Sequence, residues 1–343
     1  MLRSFTMTDD GIEAVDYHCG GEPFRIVTAT AGPAGATVAE KRVAAAVDPE
    51  VDGLRQLLCS EPRGHADMYG GFIVAPDDPG AHFGVLFWHK DGFSAACGHG
   101  TMCLGTWAVQ TGLVPVDPGG VTDVVIDVPS GRVTARVSTA ESKVTAVDFV
   151  SVAGYLLHDE VVVETSRGAA SCTVAFGGAI YAHVTAATFG LSVDTASLPE
   201  LITLGREIKN EINATAYAEH PLDPRLSGVY GVIFFDELGD EDGDVRQRNV
   251  TVFADGQVDR SPCGSGTASR VAALHSSGRL ATEGTLVHSS IVGSTWSARI
   301  ADTTVVAGRN AVLPIVTGRA FRTGHHRFVV DPDDDLVPGF VLR

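Results

Sequence analysis

Two short stretches of the 343-residue chain carry the same reactive pattern, Ala96-Cys97-Gly98-His99-Gly100-Thr101 and Pro262-Cys263-Gly264-Ser265-Gly266-Thr267. In each, a thiol is followed by glycines and then by an apolar stretch with helical spacing, Met102–Val109 and Ala268–Leu274. Glycines just ahead of a helix leave bare N–H groups at its N-terminus, which suits an anion such as a carboxylate. A thiol at the same place feels the positive end of the helix dipole, which favours thiolate and moves its pKa from about 8.5 toward neutrality. Each copy therefore offers an acid/base group beside a carboxylate cradle, built from the amides of Gly98 and His99 in one and of Gly264 and Ser265 in the other.

Two such groups are the minimum for inverting a carbon next to a carboxylate. One removes the α-proton from one face while the other delivers a proton to the opposite face, and a thiol and a thiolate exchange these roles near neutral pH. Without a cofactor, the developing carbanion must be stabilised by hydrogen bonds and by exclusion of water. Tight glycine turns opening core helices would account for one copy of the motif, but not easily for two. A metal cluster of Cys97, His99 and Cys103 matches no standard zinc spacing. A hydrolase triad of Cys97, His99 and Asp259 leaves the second cysteine motif without a role. Asp259, four residues before Cys263, has two roles open to it: accepting a hydrogen bond from a substrate ammonium group, or capping the helix start and pairing with Arg260. His18, beside Gly20-Gly21-Glu22, reads as a turn histidine satisfied by backbone, and Asp236–Asp244 as a solvated acidic loop. Cys59 and Cys172, among apolar or small neighbours, read as buried core.

The elements that must position these residues are mostly strands. Short β-branched runs punctuated by Gly, Pro and Asp recur along the chain, among them Arg25–Thr30, Val85–Trp88, Val121–Val128, Arg132–Val137, Thr145–Val150 and Val229–Phe235. Helical spacing is confined to Asp48–Leu58, Gly100–Gln110, Leu198–Asn213 and Gly266–His275. That balance predicts an α+β fold rather than βαβ repetition. A Gly-Gly pair precedes each cysteine motif, Gly20-Gly21 and Gly177-Gly178, so the chain reads as two related halves facing each other. The expected division is 11–140 for the half carrying Cys97 and 141–310 for the half carrying Cys263, with the boundary between Ser138 and Lys143. Residues 311–343 have no counterpart in the first half and are expected to pack back on it.

Composition narrows the partners. The formal net charge of −17 repels polyphosphate and anionic lipid, so neither nucleic acid nor membrane is an expected partner. Met1–Asp10 holds no apolar signal segment and no stretch approaches the roughly 18 apolar residues of a membrane span, which makes the cytoplasm the expected location. Six cysteines without a Cys-x-x-Cys pair are expected as reduced thiols.

With these residues in view, the chain resembles the proline racemase family. The resemblance is carried by His18-Cys19-Gly20-Gly21-Glu22-Pro23-Phe24-Arg25, Glu61-Pro62-Arg63-Gly64-His65, Met68-Tyr69-Gly70-Gly71, the two cysteine blocks, and Asp259-Arg260-Ser261 ahead of the second. It implies a diaminopimelate epimerase-like fold of two pseudo-symmetric α/β domains, each a curved mixed sheet around a central helix, with the site in the cleft between them. It also implies a homodimer, no cofactor, no metal, and a small-molecule imino acid as substrate. By position, Cys97 and Cys263 would be the acid/base pair, Gly98, His99, Gly264 and Ser265 the carboxylate-binding residues, and Asp259 a ligand of the substrate nitrogen.

Members with cysteine in both motifs resemble racemases and epimerases of proline or hydroxyproline, whereas those with threonine at the second position resemble trans-3-hydroxy-L-proline dehydratases. A dehydratase expels the 3-hydroxyl and needs no second thiol, so Cys263 points to inversion. The stretches Phe87–Phe93 and Val252–Val258 look closer to the dehydratase branch, and the histidine that 4-hydroxyproline epimerases carry ahead of the second motif is not found in Val229–Ile233. Dehydration starting from Cys97 is thus the alternative. A non-catalytic thiol switch or metal-binding protein is the third reading.

Overall fold

The computed structural model describes residues 11–28, 32–241 and 243–342. Met1–Asp10, the Ala29–Thr30 end of the first expected strand and Asp242 of the acidic loop lie outside the described residues. Within them the chain forms eighteen strands and five α-helices: α1 (Val38–Ala45), α2 (Pro49–Cys59), α3 (Gly98–Gln110), α4 (Leu198–Asn213) and α5 (Gly264–Ser276). No helix among the described residues is long and apolar enough to cross a membrane.

The strands are joined largely by tight hairpins whose turns need left-handed backbone. Gly20 and Gly21, at φ 63° and 95°, reverse the chain between Ile12–Cys19 and Glu22–Val27. Glu141 and Ser142, at φ 50° and 63°, do the same between Gly131–Ala140 and Lys143–Val150. Positive φ at both central residues matches the right-handed twist of the strands that such two-residue turns connect.

Two helices are buried on every side and organise the rest. In α3 every residue from Gly98 to Val109 is buried, and in α5 every residue from Gly264 to Leu274. A helix without a wet face must be wrapped by other elements. Around α3 lie Ile12–Cys19, Gly131–Ala140, Lys143–Val150 and Ala320–Phe328; around α5 lie Gly154–Thr165, Gly168–Phe176, Ile180–Thr185 and Arg309–Gly318. The α4 helix covers the outer face of the second group, burying Leu201, Leu204, Ile208 and Ile212 at helical spacing.

The C-terminal strand Ala320–Phe328 pairs antiparallel with Ile12–Cys19, from Cys19↔Ala320 to Ile12↔Phe328. Lys143–Val150 and Arg309–Gly318 form the seam between the two groups, pairing antiparallel from Val147↔Gly318 to Val150↔Ile315. Because Lys143–Val150 hairpins onto Gly131–Ala140 and packs on α3, we place the chain's crossing at residues 151–153, beyond the Ser138–Lys143 turn expected from sequence.

The α4 helix has the expected bounds, and α2 starts one residue after Asp48, whose carboxylate accepts from Glu50 N and Val51 N. The other two expected helices begin two residues earlier than the apolar spacing indicates, directly after each cysteine. The α1 helix was not anticipated; its signal was the capping box of Thr37 and Glu40, each side chain bonding the other's backbone N–H.

Candidate functional site

Each cysteine stands at the N-cap of its helix. Cys97 has extended backbone, φ −156° and ψ 103°, and its Sγ accepts from Gly100 N at 3.2 Å. Cys263 sits at φ 65° and ψ 107°, with its N–H donating to Ser261 Oγ at 3.1 Å. The threonine that ends each motif fastens the first turn: Thr101 Oγ1 donates to the Cys97 carbonyl at 2.8 Å and Thr267 Oγ1 to the Pro262 carbonyl at 2.9 Å.

The two helix N-termini meet head on. A β-carbon built on Gly98 would stand 2.5 Å from the Gly264 Cα, and one built on Gly264 the same distance from the Gly98 Cα, so only glycine permits this approach. One small cavity at this junction is lined by Cys97, Gly98, His99, Asp259, Cys263, Gly264 and Ser265, which brings all seven sequence-predicted residues together. Its volume is about 10 Å³, at the limit for a single water. An imino acid does not fit the cavity in this closed form.

The Gly-Gly pairs serve this junction as well. Gly20 and Gly21 come against Ser261 and Arg260 of the second cysteine loop, while Gly178 comes against Ala96 of the first. Each pair thus reaches across to the other half's motif.

Burial dominates the electrostatics and overturns the expectation of near-neutral thiols. Desolvation pushes both Cys97 and Cys263 well above the usual thiol range, because a sulfur anion in a closed cavity has lost its water. Against this, Cys97 has the Gly100 N–H at 3.2 Å, and Cys263 has the Tyr181 hydroxyl at 3.8 Å. His99 lies with Nδ1 3.4 Å from Cys97 Sγ; burial lowers its pKa to about 4, so the imidazole is neutral at physiological pH.

Asp259 does not pair with Arg260. Its Oδ1 accepts from Ser261 N at 2.8 Å and Ser261 Oγ at 2.7 Å, holding the loop that leads into Cys263. Arg260 turns instead to Glu22, with Nε 3.0 Å from Oε2 and its backbone N–H donating to the same oxygen at 2.9 Å. His18 is a turn histidine, its Nδ1 accepting from Gly21 N at 3.3 Å. All six cysteines are free and buried, Cys59 and Cys172 in apolar clusters away from the junction. Among the described residues, no group of three or more His, Cys, Asp or Glu side chains is placed to hold a metal ion.

The residues that sequence reasoning missed are aromatic. Tyr69, Tyr181, Tyr230 and Phe253 complete the cavity wall. Tyr69 Oη bonds Ser94 Oγ and lies 3.1 Å from Tyr230 Oη, and Tyr181 Oη lies 2.7 Å from Ser265 Oγ. Tyr69 stood in one of the blocks that carry the family resemblance, but nothing in the local sequence marked its direction.

Residues 14–341 match the family model for proline racemase. A trans-3-hydroxy-L-proline dehydratase of Bacillus cereus is 41% identical over 96% of this chain and 97% of its own length. A 3-hydroxyproline 2-epimerase of Burkholderia multivorans is also 41% identical, over 97% and 98%. The crystal structure of a hydroxyproline epimerase from Agrobacterium vitis, with trans-4-hydroxy-L-proline bound, superposes with a TM-score of 0.89 at 30% identity, over 98% of this chain and 96% of that one. The fold is accordingly the diaminopimelate epimerase-like α+β fold expected from sequence.

Proposed function

The chain belongs to the proline racemase family, and from that premise we propose that it is a 2-epimerase of hydroxyproline, with 3-hydroxyproline as substrate, working through Cys97 and Cys263. One observation carries this reading: two thiols, each at a helix N-terminus, line the same cavity. One enters the reaction as thiolate and takes the α-proton; the other, as thiol, returns a proton to the opposite face. Each such acid/base role is worth about 10²–10⁴ in rate. The N–H groups of Gly98, His99, Gly264 and Ser265 face the substrate carboxylate at the point where negative charge grows, and fixed donors there stabilise the carbanion without reorganisation. Asp259 receives the ring ammonium.

The wall of the cavity favours a hydroxylated ring over proline. Tyr69 and Tyr230 place two phenol hydroxyls on the wall, bonded to each other and, through Tyr69, to Ser94, and these offer partners to a ring hydroxyl. The 3-position is chosen because relatives of equal identity, in Bacillus cereus and Burkholderia multivorans, are both named for 3-hydroxyproline. A cytoplasmic homodimer belongs to the same proposal.

A second reading is dehydration of trans-3-hydroxy-L-proline, favoured by the identity shared with the Bacillus cereus dehydratase. There Cys97 would take the α-proton, the 3-hydroxyl would leave as water, and a pyrroline carboxylate would result. The two are separated by incubating proline and the 3- and 4-hydroxyprolines with enzyme in D₂O and following ¹H NMR. Epimerisation predicts deuterium at Cα of an intact, inverted ring; pyrroline formation without inversion sinks the epimerase proposal.

A further inference from the structure

A second cavity, of about 490 Å³, shares Tyr230 with the thiol cavity, the phenol lining both spaces. Its charged lining consists of Arg42, Lys209, Arg225, Asp91 and Asp255, with His89 kept neutral at its edge because burial lowers its pKa to about 3. Most of these charges are already matched. Arg225 is held by both carboxylate oxygens of Asp223. Asp91 bonds Lys90 and accepts from Asp255 N at 2.8 Å, and Asp255 lies 2.8 Å from Arg206.

Arg42 and Lys209 are left with carbonyl partners alone. Arg42 Nε donates to the Phe93 carbonyl at 2.9 Å and its Nη1 to the Arg225 carbonyl at 3.0 Å, while Lys209 Nζ donates to the Ala254 carbonyl at 2.6 Å. Neither has a carboxylate within ion-pairing distance among the described residues; Asp223 acts on Arg42, and Asp91 and Asp255 on Lys209, through space. Both are half-buried, and desolvation lowers the pKa of each. Two half-buried cations without a direct ion pair, facing one recess, carry a desolvation cost that an anion relieves. In a chain of net charge −17, they also make this recess a local focus for anions, since cleft walls concentrate the field of the charges that line them.

We propose that this cavity is an anion-capture chamber, in which Arg42 and Lys209 take the carboxylate of the incoming imino acid before it passes Tyr230 to the thiols. The thiol cavity in its closed form holds at most a water, so substrate needs a place to wait before it is admitted, and this chamber shares Tyr230 with it. The transit role rests on the epimerase reading; the anion site does not.

The test separates the two. Crystals of the intact enzyme soaked in sodium bromide and measured at the bromine edge should show an anomalous peak at the Arg42 and Lys209 head groups, lost in the Arg42→Gln/Lys209→Gln double variant. No peak, or a peak that persists in the double variant as an adventitious ion only, overturns the site. With trans-3-hydroxy-L-proline as substrate, each single glutamine variant should lower kcat/KM about tenfold, within the range of electrostatic effects on capture, while kcat stays within about twofold. Arg42→Lys and Lys209→Arg should restore most of the loss, and added sodium chloride should depress kcat/KM of the parent enzyme more than that of the double variant. Bromide binding with unchanged kcat/KM overturns the transit role. Should the parent enzyme turn over no imino acid, the epimerase reading fails, and the bromide experiment still decides the anion site.

Discussion

Cys97 reaches α3 from extended backbone with a neutral imidazole beside its sulfur, whereas Cys263 reaches α5 at φ 65°, beside a phenol. A non-glycine residue held in such a region costs on the order of 1–3 kcal/mol and persists only where its surroundings fix it. The surroundings differ accordingly. Behind Cys97, α3 buries Met102, Cys103 and Leu104; behind Cys263, α5 buries polar groups, with Ser269 bonded to His183, Arg270 to Gln247, and Thr267 to His288. The Cys97 sulfur accepts from the Gly100 N–H, whereas the Cys263 sulfur has the Tyr181 hydroxyl as its partner. A duplicated motif has thus produced two thiols with different partners, both pushed well above the ordinary thiol range by burial.

Serine at either position tests the comparison most severely. Cys97→Ser and Cys263→Ser should each lower Cα inversion by about 10³-fold or more, read by polarimetry. They should differ in D₂O: whichever thiol remains still exchanges the α-proton of the epimer whose hydrogen faces it. Full inversion by Cys263→Ser would end the two-thiol scheme. Next in size, Gly98→Ala and Gly264→Ala should each cost about 10² in kcat/KM, since displacing reacting groups by about 1 Å is enough for that loss. The two substitutions attack the same contact from opposite sides and should act alike; a wide disparity would mean that the helix ends are not equivalent. Thermal melts of both variants separate misplacement from unfolding.

Tyr181→Phe removes the hydroxyl partner of the Cys263 sulfur and of Ser265 Oγ, and leaves the surroundings of Cys97 Sγ as they are. It should lower kcat/KM about tenfold, the scale of one hydrogen bond to a charged group, and shift the alkaline-side ionisation of Cys263 upward. Iodoacetamide labelling against pH, read by mass spectrometry, should move its midpoint at Cys263 and not at Cys97. The smallest effect concerns the polar backing of α5. Burial lowers the His288 pKa from 6.5 to about 3, so the unfolded chain binds this proton more readily than the folded one. Its contribution to stability is complete above pH 6.5 and falls as pH drops toward 3, by about 1.4 kcal/mol per pH unit at most. Urea midpoints at pH 7, 6 and 5 should fall less steeply in His288→Gln than in the parent.

The cysteine loops were legible because everything they need is local. Glycine after a thiol, a threonine to fasten the first turn and an apolar helix behind it lie within a dozen residues, and the repeat itself announced that two such ends belong together. Gly20-Gly21 and Gly177-Gly178 were visible as echoes, though not as the turns that cross to the opposite loop. The tyrosines were not legible, since Tyr69, Tyr181 and Tyr230 stand on separate strands and acquire a common direction only through strand register. The expected lowering of the thiol pKa erred for a related reason: a helix N-terminus can be read from sequence, but the loss of water around it depends on how tightly two distant ends close. Arg260 turned away from its neighbour Asp259 because Glu22, remote in sequence, is brought to it by the Gly20-Gly21 hairpin.

The pairing of Lys143–Val150 with Arg309–Gly318 has a mechanical meaning. The chain leaves the first group of strands just past Val150 and comes back to it just past Gly318, so both covalent links are stitched along one line, as pages are to the spine of a book. Sliding the covers past each other would break this ladder, and the Arg260–Glu22, Asp255–Asp91 and Arg42–Arg225 bonds fasten the same two covers a second time, so the cysteine loops are held in register by backbone and side chains together.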